Sequence, residues 1–377
     1  MKIYNRQSVA ERVFRGRGGY ILLLPLRMLL SVLYRIIISV RTSFRRAGKR
    51  KGGGRKRGRA RVISIGNILV GGGGKTPCSL ALAEELVKCG MEPVILTRGY
   101  RSIAEKAGIP VLLADDPGLE DKIGFLTEAD FNSPDIASDE YASVFGDEVT
   151  IYRNAGLPVV IDPDRKRGEE AATRVLHRGY IIMDDGFQNI SVDKDMDILL
   201  LDHGDPFSSG RLLPWGRLRE PPGAVRRADA VIFTRSRSDK IPLEARPLIE
   251  GKEVFFSRHE CAGLFGRDGN EVALDELDGK KIALYSGIAR PEGFEDMFSE
   301  QVTEPDFSFR FSDHHQYDEE DIRFLTGKVP PGTAFITTEK DWYKSAELFQ
   351  PDTDIYLLRL KMVIDNLDKL IRLVLSV

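Results

Sequence analysis

Cysteine is scarce in this sequence. The 377 residues hold three, Cys78, Cys89 and Cys261, and none stands in a CxxC spacing. That excludes a disulfide framework and a cysteine-built zinc site, suits a reducing compartment, and leaves each to be read as a small buried hydrophobe. Histidine is nearly as rare. Of the five, His177, His203 and His259 are isolated and carry no site reading. No internal repeat is visible. Acidic residues are almost missing from the first 61 positions, where Glu11 faces 18 lysines and arginines, whereas the remainder holds 37 basic residues against 56 acidic. A basic arm on an acidic body calls for an anionic partner surface, phospholipid or nucleic acid. Aromatic residues are absent between Arg45 and Arg61, which speaks against stacking on nucleic acid.

An apolar run within the arm favours lipid. Tyr20 to Val40 has spanning length but contains Pro25, Arg27 and Arg35, and one arginine near the centre of a span costs about 2.5–3.5 kcal/mol. Arg27, Ser31, Arg35 and Ser39 recur at every fourth position, so a helix starting near Pro25 carries one narrow polar stripe and is otherwise apolar. The pattern predicts a helix lying in the membrane interface, with the lysines and arginines from Arg41 to Arg61 against anionic headgroups. No small-residue cleavage site follows it. Lys49 to Arg61 reads as a flexible linker.

Beyond the linker the pattern turns α/β. Arg61–Ile65 is a β-branched run ending in a glycine-rich turn, and Pro77 to Cys89 has helical periodicity. Met91–Thr97, Tyr180–Met183, Asp197–Leu201 and Ala230–Thr234 read as strands, with Val111–Ala114 and Leu157–Ile161 as further candidates. The fold class expected is α/β: a P-loop NTPase-like, mostly parallel sheet with helices on both faces, a smaller α/β lobe, and the N-terminal amphipathic membrane helix. Three regions are expected. Residues 1–61 form the membrane-associating arm, 62–250 the P-loop domain, and 251–377 the smaller lobe, whose last helix is free to pack back on the first domain. Residues 102–145, polar and Asp-rich, read as a long surface insertion near the site.

Gly71-Gly72-Gly73-Gly74-Lys75-Thr76 lies between a predicted strand and a predicted helix. Glycines let backbone N–H groups approach phosphate oxygens at the positive end of the helix; Lys75 is placed for the β/γ-phosphates and Thr76 for Mg²⁺. The strict pattern wants glycine where Leu69 stands. A P-loop needs acids on a neighbouring strand to hold the metal, and Tyr180–Met183 delivers Asp184 and Asp185 at its carboxyl end. ATP and Mg²⁺ are therefore the expected cofactors. The residues alone do not say what receives the phosphate.

The order of motifs resembles the tetraacyldisaccharide 4′-kinase family. The phosphate loop from Val62 to Pro77 is followed by Arg98-Gly99-Tyr100, Gly146-Asp147-Glu148 and Asp184-Asp185-Gly186-Phe187-Gln188. Leu213-Pro214 through Leu218-Arg219-Glu220 comes next, then Gly287-Ile288 with Pro291 and Phe294. Asp313-His314-His315 and Thr338-Glu339-Lys340-Asp341 complete the series. The resemblance implies ATP-dependent phosphorylation of the 4′-hydroxyl of a tetraacylated glucosamine disaccharide 1-phosphate in lipid A biosynthesis, by an enzyme on the cytoplasmic face of the inner membrane. No nucleic acid and no obligate protein partner is expected. It assigns phosphate binding to Gly71–Thr76, and acidic metal and site ligation to Asp184, Asp185 and Glu220 beside Thr76. Arg165 and Arg219 would neutralise charge or position substrate, with Gln188 and Glu148 in the same blocks, and Asp147 and His314 would deprotonate the sugar hydroxyl. No role attaches to Thr338–Asp341.

The chain departs from the family pattern with Asn189 for histidine, Val149 for proline, Trp215 and Arg217 at variable places, and a longer linker and insertion. Two alternatives share the P-loop: a kinase for another glycolipid, and a membrane-tethered nucleotide switch. The first differs only in its acceptor. The second gives Asp313-His314 no role and predicts indifference to glycolipid.

Overall fold

The computed structural model describes residues 1–6, 27–38, 59–100, 102–113, 126–127, 144–174, 177, 179–313 and 315–377. In chain order its elements begin with β1 (Lys2–Arg6), helix α1 (27–38), β2 (Arg61–Asn67), α2 (Lys75–Lys88), β3 (Pro93–Thr97), β4 (Val111–Leu113) and β5 (Leu126–Thr127). Next come α3 (Asp147–Asn154), β6 (Val159–Ile161), α4 (Arg165–Arg174), β7 (Tyr180–Met183), β8 (Met196–Asp202), β9 (Ala230–Thr234) and α5 (Arg246–Ile249). The chain continues through β10 (Glu253–Phe265), β11 (Glu271–Val272), β12 (Ile282–Ser286), α6 (Pro291–Gln301) and β13 (Phe307–Phe311). It ends with α7 (Glu319–Thr326), β14 (Ala334–Thr338), α8 (Glu339–Ser345), β15 (Ile355–Ile364) and α9 (Leu367–Ser376).

Two compact units emerge. The first comprises Arg17–Pro134, Val144–Arg258 and Val363–Val377; the second comprises Met1–Gly16, Asp135–Ser143 and His259–Met362. The division falls after Arg258, inside β10, rather than after Glu250, and β1 and α9 each belong to the unit remote from them in sequence.

In the first unit, β2 is flanked by β8 and β7, and β9 and β3 lie outside them. These pairs are parallel, as are β3–β6 and the start of β10 on β9, while β4 runs antiparallel to β6. The sheet is therefore mixed but mostly parallel. Its central strands are covered on both faces, so they need unbroken apolar sequence. Every residue of β7 and β8 is buried, including Asp197, which receives Lys194 Nζ. Helix α2 packs Leu82, Ala83 and Leu86 into the core, and each such leucine contributes about 1.5–3 kcal/mol of burial. Cys78 is buried on this helix, whereas Cys89, read as a core residue, is exposed at its C-terminus. Helix α9 buries Leu370, Ile371 and Val374, spacings that form one apolar face.

Helix α1 presents the reverse pattern. Ser31 and Ile38 are buried and Tyr34 packs against the core cluster of Leu212, Leu218 and Phe207, so positions 31, 34 and 38 face inward. Leu29, Val32, Leu33, Ile36 and Ile37 stand 53% to 68% exposed. Ser31 of the polar stripe thus faces inward, while the apolar residues around it stand exposed among the described residues. No helix among the described residues is long and apolar enough to cross a membrane.

In the second unit β1-β13-β12-β14-β15 run parallel in that order, while β11 pairs antiparallel with the end of β10. Tyr4 of β1 stacks on Phe309 at 4.8 Å between centroids, and Arg6 pairs with Glu320 and Asp321 of α7.

Candidate active site

The phosphate loop is shaped by backbone that only glycine adopts readily. Gly71 (φ 106°) and Gly74 (φ 79°) lie in the positive-φ region, and a Cβ on Gly73 would strike the Asn67 side chain. Gly74 caps α2, whose first turn has no acidic residue and no side-chain cap. Its leading N–H groups thus keep the positive end of the helix open to an anion. The loop is strapped from outside. Val70 N–H donates to the Arg217 carbonyl (2.9 Å), Arg219 N–H to the Ile68 carbonyl (2.7 Å), and the Arg217 guanidinium to the Val70 carbonyl (3.0 Å). Arg235, ion-paired with Asp202, donates to the Gly72 carbonyl at 3.1 Å.

Opposite the loop, β7 ends at Asp184 and Asp185. Gly186 N–H donates to the Ile65 carbonyl at 2.9 Å, drawing the Asp-Asp turn against β2. That approach requires glycine at position 66, where a Cβ would lie 2.6 Å from the Phe187 Cβ. Asp185, with φ 48°, accepts the Arg219 guanidinium on both oxygens (3.1 and 2.8 Å) and lies 3.6 Å from Lys75 Nζ. Burial opposes its ionisation, but Lys75 and Arg219 outweigh burial and hold its carboxyl below the usual range.

Asp184 is buried, and both of its oxygens accept hydrogen bonds: Oδ1 from Asp185 N–H and Oδ2 from the Tyr152 hydroxyl, each at 2.9 Å. Desolvation, then the field of Glu148, pushes its carboxyl up to about 7, with Lys75 acting in the other direction. Arg165, buried beside it, donates to the carbonyls of Asp162 (3.0 Å) and Asp184 (3.3 Å); desolvation lowers its guanidinium to about 10.

Lys75, Thr76, Asp184, Asp185, Arg165 and Arg219 therefore share one neighbourhood, and Glu148 acts on it electrostatically. Asp147 heads α3 directly after Gly146, whose own neighbours are Gly99 and Ser102. Gln188 and Glu220 form a separate knot. Gln188 Nε2 donates to Glu220 Oε1 (3.0 Å) and to the Asn67 carbonyl (2.9 Å), and Arg227 holds both Glu220 oxygens at 2.6 and 2.8 Å. The sequence reading missed Tyr152, Arg227 and Arg235; their partners lie 7 to 163 positions away, so no local pattern marks them. Asn189 accepts the N–H groups of Ser191 and Val192 and closes a local turn. His314 lies outside the described residues.

Among the described residues no group of three or more His, Cys, Asp and Glu side chains forms a metal cage. Magnesium does not need one, since it keeps waters and phosphate oxygens and takes one or two carboxylates. The donor set here is all oxygen: the buried Thr76 hydroxyl and the carboxylates of Asp184 and Asp185. A buried carboxyl raised by burial and like charge is also relieved by a cation, so the residues fit Mg²⁺.

In the second unit three of the motif blocks meet. Asp341 is buried and accepts the Gly287 N–H (3.1 Å), the Tyr317 hydroxyl (3.1 Å) and the Thr338 hydroxyl (2.7 Å). His315 Nε2 lies 2.7 Å from Asp321 Oδ2, and the His315 ring stacks on Phe311.

The family model described as tetraacyldisaccharide-1-P 4′-kinase, LpxK, matches residues 21–122 and 127–377. The chain belongs to this family. It is 31% identical to the tetraacyldisaccharide 4′-kinase of Desulfatibacillum aliphaticivorans over 90% of this chain and 89% of that one. The corresponding kinase of Syntrophus aciditrophicus (strain SB) is 34% identical over 76% of each. Among solved structures, LpxK from Aquifex aeolicus, crystallised in complex with ATP, superposes with a TM-score of 0.68 at 28% identity, covering 95% of this chain and 98% of that one.

Proposed function

We infer that this protein is an ATP-dependent tetraacyldisaccharide 4′-kinase, transferring the γ-phosphoryl group of ATP to the 4′-hydroxyl of an acylated glucosamine disaccharide 1-phosphate in lipid A biosynthesis. The observation that carries the reading is the glycine loop whose Lys75 faces Asp185, at the end of the adjoining strand, in a chain of this family.

The geometry of the loop and the Asp-Asp turn supports the parts given to Lys75, Asp185 and Arg219, and the parts of Asp147 and His314 rest on the family resemblance. The loop backbone and Lys75 hold the β- and γ-phosphates. Thr76 and Asp185 or Asp184 would hold Mg²⁺, which would supply charge neutralisation to the phosphates. Arg219 and Arg165 add fixed positive charge, and Arg219 also orients Asp185. Glu220, with Gln188 and Arg227, braces the start of the Phe187 turn. The acceptor oxygen forms a bond to the γ-phosphorus as the bridging bond to the β-phosphate breaks and ADP leaves; the hydroxyl proton passes to the Asp147 carboxylate, with His314 assisting. Alignment and charge neutralisation supply most of the acceleration, and a general base adds on the order of 10²–10⁴-fold.

The protein works at the cytoplasmic face of the inner membrane, held as a peripheral or monotopic protein through residues 20–40. Supporting this are the half-exposed apolar face of α1 and the 11 lysines and arginines from Arg41 to Arg61, each worth about 1 kcal/mol near an anionic surface. The acceptor's hydroxyl lies at the headgroup layer, so an enzyme seated there meets it without extracting the lipid.

The test incubates the purified protein with MgATP in mixed micelles, with and without the tetraacyl disaccharide 1-phosphate, and follows lipid product by mass spectrometry. A bisphosphorylated lipid supports the reading. ATP hydrolysis indifferent to the acceptor would replace it with the nucleotide switch.

A further inference from the structure

We propose that α1 is wired to the phosphate loop as well as facing lipid, with Tyr34 as the positioning residue that joins the two. The inference rests on the reading of α1 as a lipid-facing helix. Its geometry lies wholly within the first unit.

The inward face of α1 makes two hydrogen bonds to a single stretch of chain. Ser31 Oγ donates to the Leu212 carbonyl at 3.1 Å, and the Tyr34 hydroxyl donates to the Arg219 carbonyl at 2.9 Å. That stretch is held in shape by Leu213 N–H on the Leu218 carbonyl (2.9 Å) and Gly216 N–H on the Leu212 carbonyl (2.8 Å). Its other side is the strap on the phosphate loop, through Arg217 to Val70 and Arg219 N–H to the Ile68 carbonyl. Arg219 is thus gripped three ways: its carbonyl by α1, its N–H by the approach to the loop, and its guanidinium by Asp185, which in turn faces Lys75.

A residue whose two flanking peptide units are both hydrogen-bonded cannot shift at one without loading the other. Movement of α1 at Tyr34 therefore reaches the Arg219 side chain within one residue, and Asp185 and Lys75 within two further contacts. Immersing the exposed residues Leu29, Val32, Leu33, Ile36 and Ile37 in lipid fixes the depth and orientation of α1. Tyr34 and Ser31 transmit that constraint to the strap. Lipid and ATP then bind with a coupling free energy, which is reciprocal: a surface that orders α1 tightens nucleotide binding.

The experiment uses the full-length chain, vesicles of anionic phospholipid without any acceptor, and calorimetric titration of MgATP. In the parent, vesicles should tighten MgATP binding by about fivefold, the low end of such couplings. Tyr34→Phe removes one oxygen and keeps the ring in its cluster. It should sediment with vesicles as the parent does, yet lose the gain in ATP affinity, with kcat lowered several-fold and the KM for acceptor little changed. Tyr34→Phe keeping the full vesicle-dependent gain would overturn the proposal, as would a parent that sediments with vesicles but shows no gain. A separate variant, Leu33→Lys with Ile36→Lys, should sediment far less than the parent in about 0.5 M salt, where the attraction of the basic arm is screened. If it sediments like the parent, or if the parent never sediments, the lipid-facing reading falls and takes the coupling with it.

Discussion

Replacing Asp184 with asparagine should stabilise the nucleotide-free protein at alkaline pH while removing its activity. The buried carboxyl is raised from its ordinary value of 3.8 to about 7, chiefly by desolvation. The folded chain therefore holds this proton more tightly than the unfolded chain does. Folding takes up the proton between those two values, so this contribution makes stability fall as pH rises through the window. At about 1.4 kcal/mol per decade of proton affinity, the cost reaches about 4 kcal/mol at pH 8 and about 2 kcal/mol at pH 5. Asparagine is nearly isosteric, can still accept the Asp185 N–H, and can donate to the Tyr152 oxygen instead of accepting from its hydroxyl. The assay is urea unfolding at pH 5 and pH 8 in a chelator without nucleotide, followed by tryptophan fluorescence; Trp215 reports the first unit and Trp342 the second. The variant's advantage should be clearly larger at pH 8. An advantage equal at both pH values, or a parent more stable at pH 8, would refute the burial argument.

Gly66→Ala places a Cβ 2.6 Å from the Phe187 Cβ and 2.7 Å from its backbone nitrogen. Backbone has to move, at a cost of about 1–3 kcal/mol, so thermal unfolding should shift down by several degrees; an unchanged melting temperature would contradict the close approach. Arg227→Ala strands the buried Glu220 carboxylate and should cost about 3–5 kcal/mol in urea unfolding. Adding Glu220→Gln to Arg227→Ala should recover much of that loss, and a purely additive double variant would show that the pair is not coupled.

The parts of the fold legible in the sequence were those specified by short-range pattern. The strand before the glycine loop and the helix after it follow local periodicity, and the short apolar runs that became β7, β8 and β9 are fully buried, so each is a nearly continuous hydrophobic stretch between turn residues. Strand β10 escaped because Arg258, His259 and Glu260 interrupt it, and most of its residues are only half-buried. Strand β1 is five residues, alternately exposed, and exists by pairing with β13 some three hundred positions away. Neither has a local signature.

The site divides in the same way. Lys75 and the Asp-Asp turn are visible because loop chemistry fixes their spacing. Asp147 stands just past the expected insertion of residues 102–145 and begins a helix, since Gly146 supplies the φ of 105° that turns the chain into α3. The grip of Tyr152 on Asp184, of Arg227 on Glu220, and of Tyr34 on Arg219 are tertiary contacts that composition and periodicity cannot encode. The inward use of Ser31 also depends on what stands behind α1. A helical wheel gives the stripe but not its direction.

Transfer of label from γ-labelled ATP to the tetraacyl disaccharide 1-phosphate, by the parent and by Lys75→Ala, Asp147→Ala and His314→Ala, tests the central claim most directly. Labelled bisphosphorylated lipid should appear with the parent, vanish with Lys75→Ala, and fall on the order of 10²-fold or more with Asp147→Ala and His314→Ala. Transfer by Lys75→Ala at the parental rate, or no labelled lipid from a parent that still hydrolyses ATP, would contradict it.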